Sequence, residues 1–202
     1  MKLFFSPGAC SLAPHIVLRE TDSAFSLEKV DTARHLTADG TDYYTVNPKG
    51  QVPLLVLDDG ATLSEGPVIA QYIADQAANT TLMPVAGSLE RYRVMEWQNY
   101  VTSELHKSFS PLFNASFELA AKTQHAALLR KKYEWVNARL ADTHYLTGED
   151  FTVADAYLFT VTGWAKYVQL DLSDLVHLQR FLSRVAARPA VRAAMQAEGL
   201  LA

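Results

Sequence analysis

Cys10 is the only cysteine in a chain of 202 residues, and it stands between a short apolar run, Leu3-Phe4-Phe5, and a segment of helical spacing that begins at Ser11. A thiol just ahead of a helix meets unpaired backbone N–H groups and the positive end of the helix dipole. Both favour the thiolate and lower its pKa below the free value of about 8.5. Cys10 is therefore a candidate nucleophile, the alternative being inert packing as a small hydrophobe. A redox site of the Cys-x-x-Cys kind would need a second cysteine where the chain has Ala13. Internal dithiol exchange is excluded, and any sulfur chemistry at Cys10 must use a sulfur from another molecule.

Three further groups have types and spacing suited to chemistry. Val52-Pro53 opens an apolar run, where a proline in mid-sheet would waste a ladder donor. A cis peptide turns the chain there and leaves the preceding backbone N–H and C=O open to an extended ligand; a trans proline at a strand edge is the alternative. Glu65-Gly66 marks a helix start, whose free N–H groups receive a carboxylate while the glutamate receives an ammonium group. Asn99, Ser103, His106 and Ser110 recur at spacings of four, three and four, which puts them on one helical stripe. His106, with Lys107 beside it, can supply a donor or accept a proton near a thiol, although a solvated face has the same pattern. His15, His35, His125, His144 and His177 show no ligand spacing such as His-x-x-x-His, so no metal is expected. Thr152-x-x-Asp155 has the form of a capping box and is read as a fixed helix start.

The elements that position these groups follow from periodicity. Leu3 to Phe5 reads as a strand, Ser11 to Glu20 as a helix with Ser11 as N-cap, and Leu27 to Val30 as a second strand. A weakly helical stretch covers Ala33 to Tyr44, interrupted by Gly40. Pro53 to Leu57 and Thr62-Leu63 flank Asp58-Asp59-Gly60 as a hairpin, and Glu65 to Ala77 reads as a helix with Pro67 in its first turn. This order is that of a thioredoxin-like α/β unit. Beyond the connector, Leu89 to about Phe113, Lys122 to Asp142, Thr152 to Val168 and Leu175 to Ala187 carry helical periodicity, with breaks at Pro111, Thr147-Gly148 and Leu170-Asp171. The second part is all helical. The expected division is 1–80, a linker at 81–88, and 89–202.

Composition agrees with this division. Residues 1–80 hold 5 basic and 10 acidic side chains and the remainder 13 and 12, so the charge changes sign near the proposed boundary. With 49% hydrophobic and 20% charged residues the chain is globular, and its net charge of −4 lacks the basic footprint of a nucleic-acid binder. No window approaches the roughly 18 apolar residues of a membrane span, and Leu3-Phe4-Phe5 is too short for the core of a signal peptide. The expectation is a cytoplasmic protein with neither nucleic acid nor membrane as partner.

Taken together, Ser6-Pro7-Gly8-Ala9-Cys10-Ser11-Leu12, Asn47-Pro48-Lys49-Gly50-Gln51-Val52-Pro53 and Leu63-Ser64-Glu65-Gly66-Pro67-Val68-Ile69 resemble the glutathione-binding segments of bacterial beta-class glutathione S-transferases. The likeness continues through Ser103-Glu104-Leu105-His106-Lys107, the segment Phe151 to Phe159 and the closing Arg188-Pro189-Ala190-Val191. The resemblance implies a thioredoxin-like domain that binds glutathione as co-substrate, a helical domain that builds the pocket for a small hydrophobic electrophile, and a homodimer. It implies that Val52, before a cis Pro53, pairs through its backbone with the cysteinyl part of glutathione, and that Glu65 and the Gly66 amide hold the γ-glutamyl end. Cys10 would face the glutathione sulfur, with His106 and Lys107 on the opposite wall and Asn99 on the same stripe. Ser103 and Glu104 would reach the glutathione of the neighbouring subunit. The family often has Lys at position 35, against the glycyl carboxylate; here His35 makes that contact weaker and pH-sensitive.

Other classes of the family activate the thiol with a Tyr or Ser near the end of the first strand. Phe5 has no hydroxyl; Ser6 has one, but the beta-class pattern points to Cys10 and the helix start behind it. The expected activity is conjugation of glutathione to electrophiles, with thiol-disulfide exchange through Cys10 as a second outcome and a non-catalytic binding protein as the competing reading. Phe109, Phe113, Phe117, Trp164 and Tyr167 are candidates for the electrophile pocket, although aromatics at helical spacing also fill cores.

Overall fold

A computed structural model describes residues 1–201. Strands β1 (Lys2–Phe5), β2 (Ser26–Asp31), β3 (Leu36–Thr37), β4 (Leu54–Val56) and β5 (Thr62–Ser64) form one sheet in the order β3-β2-β1-β4-β5. β1 runs parallel to β2, with Leu3 opposite Leu27, and antiparallel to β4, with Leu3 opposite Leu55. The parallel step requires a crossover, supplied by α1 (Leu12–Glu20). Every residue of α1 from Leu12 to Leu18 is buried, because the helix lies between the sheet side and the helical part, packed on α2 (Gly66–Gln76), α6 (Val153–Thr162) and α8 (Pro189–Ala197). Ile16 and Val17 have no exposure, and each such burial stabilises the fold by about 1.5–3 kcal/mol. Leu3, Leu55, Ile73, Leu105, Leu158 and Val191 belong to one continuous core, so both parts of the chain share it.

The remaining helices are α3 (Leu89–Tyr100), α4 (Lys107–Phe113), α5 (Leu119–Arg139) and α7 (Val176–Ala186). Sequence reading misplaces several details. Residues 33–44 contain no α-helix: Asp39 accepts from Thr37 Oγ1 and Thr41 N, Gly40 sits at φ +87°, and the chain makes β3, a tight turn and a single 3₁₀ turn at Tyr43–Thr45. Local hydroxyl and carboxylate bonds there outcompete weak helical periodicity. Ser11 does not cap α1; its hydroxyl donates to Ser6 O and accepts from Ser6 N, closing the loop that carries Cys10. The long helix from Leu89 is broken by a π-helical turn at Val101–His106, α5 begins three residues ahead of its expected start, and the helix from Thr152 stops at Thr162 before a 3₁₀ turn at Ala165–Val168. α8, with Pro189 in its first turn, has no counterpart in the periodicity reading.

The capping box at Thr152 is present and buried. Asp155 Oδ2 accepts from the Thr152 N–H and hydroxyl, and Oδ1 accepts from the Leu146 N–H, each at 2.8 Å. Asp155→Ala leaves two backbone donors buried without partners, at about 1–3 kcal/mol each. The expected result is a melting temperature about 10 °C lower, at about 2–4 °C per kcal/mol for a protein of this size, read by thermal denaturation. No helix of the described residues is long and apolar enough to cross a membrane.

Candidate active site

A cavity of about 410 Å³ opens where the β1–α1 loop, the approach to β4 and the start of α2 face the π-helical turn. It is lined by Cys10, Val52, Pro53, Glu65, Gly66 and His106, with His35 and Lys107 at its sides. The structure therefore brings these eight sequence-predicted residues together.

The Cys10 loop is held from both parts of the chain. Gly8, at φ +70°, donates its N–H to Glu198 Oε2 at 2.9 Å, while its carbonyl accepts from Trp164 Nε1 at 2.8 Å. Glu198 is also 2.8 Å from His15 Nδ1, and both side chains are fully buried. Cys10 Sγ points across the cleft to the Val52 carbonyl at 3.3 Å, beside the cis Val52–Pro53 peptide. Burial pushes the Cys10 thiol up to about 11, against smaller opposing effects of its own and Ser11's backbone N–H groups; Glu65 adds to the rise and Lys107 opposes it. The expectation of a depressed pKa is corrected: desolvation outweighs the helix start, and at neutral pH Cys10 is an S–H donor.

On the opposite wall, His106 Nδ1 lies 2.6 Å from the Tyr157 hydroxyl, and the imidazole meets Trp164 edge-on with centroids 4.7 Å apart. Burial, helped by the Lys107 charge and opposed by Glu65, lowers His106 to about 4. Taking a proton from a thiol of pKa about 8.5 would cost such an imidazole about 6 kcal/mol. His106 is therefore a neutral hydrogen-bonding group here rather than the base that histidine chemistry suggests.

Glu65 sits at φ +70°, a conformation that costs a residue with a side chain about 1–3 kcal/mol and that concentrates at ligand clamps. Its Oε1 meets Lys49 Nζ at 2.9 Å, and Lys49 also reaches the Ser64 hydroxyl at 3.0 Å. His35 has both ring nitrogens engaged, Nδ1 with Gly50 O and Nε2 with the Tyr44 hydroxyl, each at 3.2 Å. Gly50 has to be glycine, since a Cβ there would fall 2.5 Å from the Tyr44 ring. His35 thus contributes to the wall but holds no uncommitted donor for a carboxylate.

The stripe expected of Asn99, Ser103, His106 and Ser110 is not realised. A π-helical turn takes up an extra residue, so Thr102, His106 and Ser110 line the cavity while Asn99 and Ser103 are exposed outside it. Ser103 Oγ bonds to Asn99 O, and Glu104 pairs with Lys132 Nζ at 3.0 Å, which also donates to the Glu104 carbonyl. Of the residues that the sequence reading does not assign, Lys49 lies within Asn47–Pro53 and Tyr157 within Phe151–Phe159, two of the segments that carry the family resemblance.

Phe109, Phe113 and Trp164 cluster beside His106, with Phe109–Trp164 and Phe113–Trp164 centroids 5.6 and 6.2 Å apart. Phe109 is wholly buried and half of Phe113 is exposed. Beyond Trp164 a second, apolar cavity of about 310 Å³ is lined by Leu12, Phe159, Tyr167 and Leu200 and shares no lining residue with the first. No group of three or more His, Cys, Asp or Glu among the described residues could hold a metal ion.

A thioredoxin-type unit whose lone thiol faces a polar cleft, walled on the far side by a helical bundle, defines a class of thiol-using transferases. The family model described as the glutathione S-transferase N-terminal domain matches residues 8–76, and that of the C-terminal domain matches residues 100–189. The chain is 50% identical to the glutathione S-transferase GstA of Escherichia coli O157:H7 over 99% of its own length and 100% of that protein. It superposes on the bacterial beta-class enzyme of Sphingomonas chungbukensis with a TM-score of 0.95 at 46% identity, each chain wholly covered. A sphingomonad glutathione S-transferase complexed with glutathione gives the same TM-score, identity and coverage. The chain belongs to the glutathione S-transferase family, in its bacterial beta class, and is a glutathione-conjugating enzyme.

Proposed function

We propose that the Cys10 cavity holds glutathione extended from Glu65 to His35, with its sulfur between Cys10 and His106. The observation that carries this reading is the meeting, in one cleft, of a thiol, a backbone carbonyl before a cis proline, and a strained glutamate at a helix start. Val52 supplies backbone partners to the cysteinyl residue, and Glu65 with the Gly66 N–H receives the γ-glutamyl ammonium and carboxylate. The glutathione thiol loses its proton to water, and its thiolate is held by a His106 N–H, by the start of α1 and by the Cys10 S–H, which turns to it from the Val52 carbonyl. The sulfur then forms a bond to the electrophilic carbon as the leaving group departs with the bonding pair. The electrophile lies toward Phe113 and Trp164.

The domains run 1–80 and 89–202 about a linker at 81–88, and the enzyme acts in the cytoplasm, where glutathione is kept reduced. It works as a homodimer in which Ser103 and Glu104 approach the partner subunit's glutathione. Supporting this, exposed Tyr92, Met95, Asn99 and Ser103 follow helical spacing on a face away from their own cavity.

Turnover of an aromatic halide with glutathione tests the reading. Absence of both activity with several electrophiles and glutathione binding overturns it. Glu65→Ala keeps the strained backbone and removes one charge-assisted bond worth about 1.5–3 kcal/mol. The expected outcome is a KM for glutathione about 10–150-fold higher, with KM for the electrophile little changed.

A further inference from the structure

We infer that Tyr157 is a positioning residue that donates its hydroxyl proton to Nδ1 of His106 and thereby fixes the neutral imidazole with its own proton on Nε2, aimed at the glutathione sulfur. The inference rests on the proposed glutathione site and specifies how one of its walls works. Two hydrogen-bonding arrangements fit a 2.6 Å contact between an imidazole nitrogen and a phenol oxygen. In one the phenol donates; in the other the imidazole does, and the phenol proton then needs another acceptor. Thr102, whose hydroxyl also lies against Tyr157, gives its own proton to Gln98 O at 2.8 Å, and of the two groups in contact the phenol is the stronger acid while the imidazole nitrogen is by far the stronger base. The phenol therefore donates to Nδ1.

Desolvation removes the remaining freedom. Burial holds the Tyr157 phenol above its ordinary value and His106 below its own, so both are neutral across the working range. A neutral imidazole that accepts at Nδ1 carries its proton at Nε2. Nε2 has no protein partner, and it is not closed off from solvent: the one enclosed side-chain polar atom without a partner among the described residues is Tyr133 Oη. The space that His106 borders is the Cys10 cavity, so the Nε2–H is offered there. The charged and titratable groups around the pair are Glu65 at the start of α2, Lys107 on α4 and Cys10 on the first loop, and none of them bonds to either ring.

The test combines two readouts. In ¹⁵N-labelled wild-type protein, with His106 assigned by loss of its signals in His106→Gln, the expected spectrum is that of the Nε2–H tautomer; an Nδ1–H tautomer overturns the inference. This measurement needs no glutathione, so it remains decisive if the glutathione reading itself fails. In Tyr157→Phe, the thiol of bound glutathione, titrated by thiolate absorbance, is expected to rise by about one pH unit. kcat/KM then falls about tenfold at pH 6.5, KM for glutathione stays within twofold, and the rates converge near pH 9. An unchanged thiol titration in a Tyr157→Phe protein that conjugates normally also overturns it. A wild-type protein that neither binds nor conjugates glutathione overturns the glutathione-site reading instead.

Discussion

Cys10→Ala is expected to abolish any glutathione-dependent disulfide reduction by this protein while lowering conjugation less than tenfold. The two activities ask different things of the sulfur. Exchange would need Cys10 as a bond-forming atom: its thiolate would attack a glutathione-containing disulfide, forming the S–S bond to glutathione as the old S–S bond breaks and the other sulfur leaves as thiolate, and no second cysteine exists to replace it. Conjugation asks only for a weak S–H donor beside the glutathione thiolate, and loss of such a bond costs about 1 kcal/mol. The pH dependence follows from the raised thiol. With Cys10 held near 11, about one molecule in ten thousand carries the Cys10 thiolate at pH 7. That fraction grows tenfold per pH unit, so wild-type exchange limited by Cys10 attack rises about tenfold per unit from pH 7 to 10, whereas conjugation levels off lower. Parallel assays with a disulfide and with an aromatic halide check both statements. Equal loss of the two activities in Cys10→Ala would show that the sulfur is needed to hold glutathione rather than to react with it.

The parts of this site that were legible in the sequence are those fixed by local backbone demands. A proline at a strand entry, a glutamate before a helix and a cysteine before another each announce a geometry through a few adjacent residues, and the structure assembles Cys10, Val52-Pro53 and Glu65-Gly66 in one cleft. What was hidden depends on contacts distant in sequence. The π-helical turn is tied partly by its own Thr102 and Ser103 hydroxyls, which bond back to Gln98 O and Asn99 O, and partly from outside, where Lys132 of α5 donates to the Glu104 carbonyl and the Ser108 hydroxyl. That turn moves Asn99 and Ser103 off the stripe that their spacing describes. The raised Cys10 pKa is hidden for the same reason, because the helix start is local while the walls that desolvate the thiol come from both parts of the chain. α8 is hidden because its nine residues are rich in alanine, and its role appears only in what Glu198, the residue directly after it, reaches.

That residue carries the largest stability effect expected of a single substitution. Glu198 follows α8 directly, and its fully buried carboxyl joins His15 in α1 to Gly8 in the loop that carries Cys10. Glu198→Ala leaves His15 Nδ1 and the Gly8 N–H without partners and opens a gap where α1 meets α8. The two groups left unpaired cost about 1–3 kcal/mol each and the gap adds to this, so the melting temperature should fall by about 10 °C or more. Glu198→Gln separates charge from hydrogen bonding. Its amide oxygen can take the Gly8 N–H while its NH₂ donates to His15, so less than half of the loss is expected if geometry is what matters. A glutamine variant as unstable as the alanine variant would assign the effect to the carboxylate charge. The same substitution reaches the chemistry, since Gly8 is held on its N–H side by Glu198 and on its carbonyl side by Trp164. With the first anchor gone, Cys10 and the start of α1 lose their fixed position. kcat/KM at 25 °C, where the alanine variant is still folded, is expected to fall about tenfold while His106 keeps its contact with Tyr157, which the ¹⁵N signals of the imidazole would report.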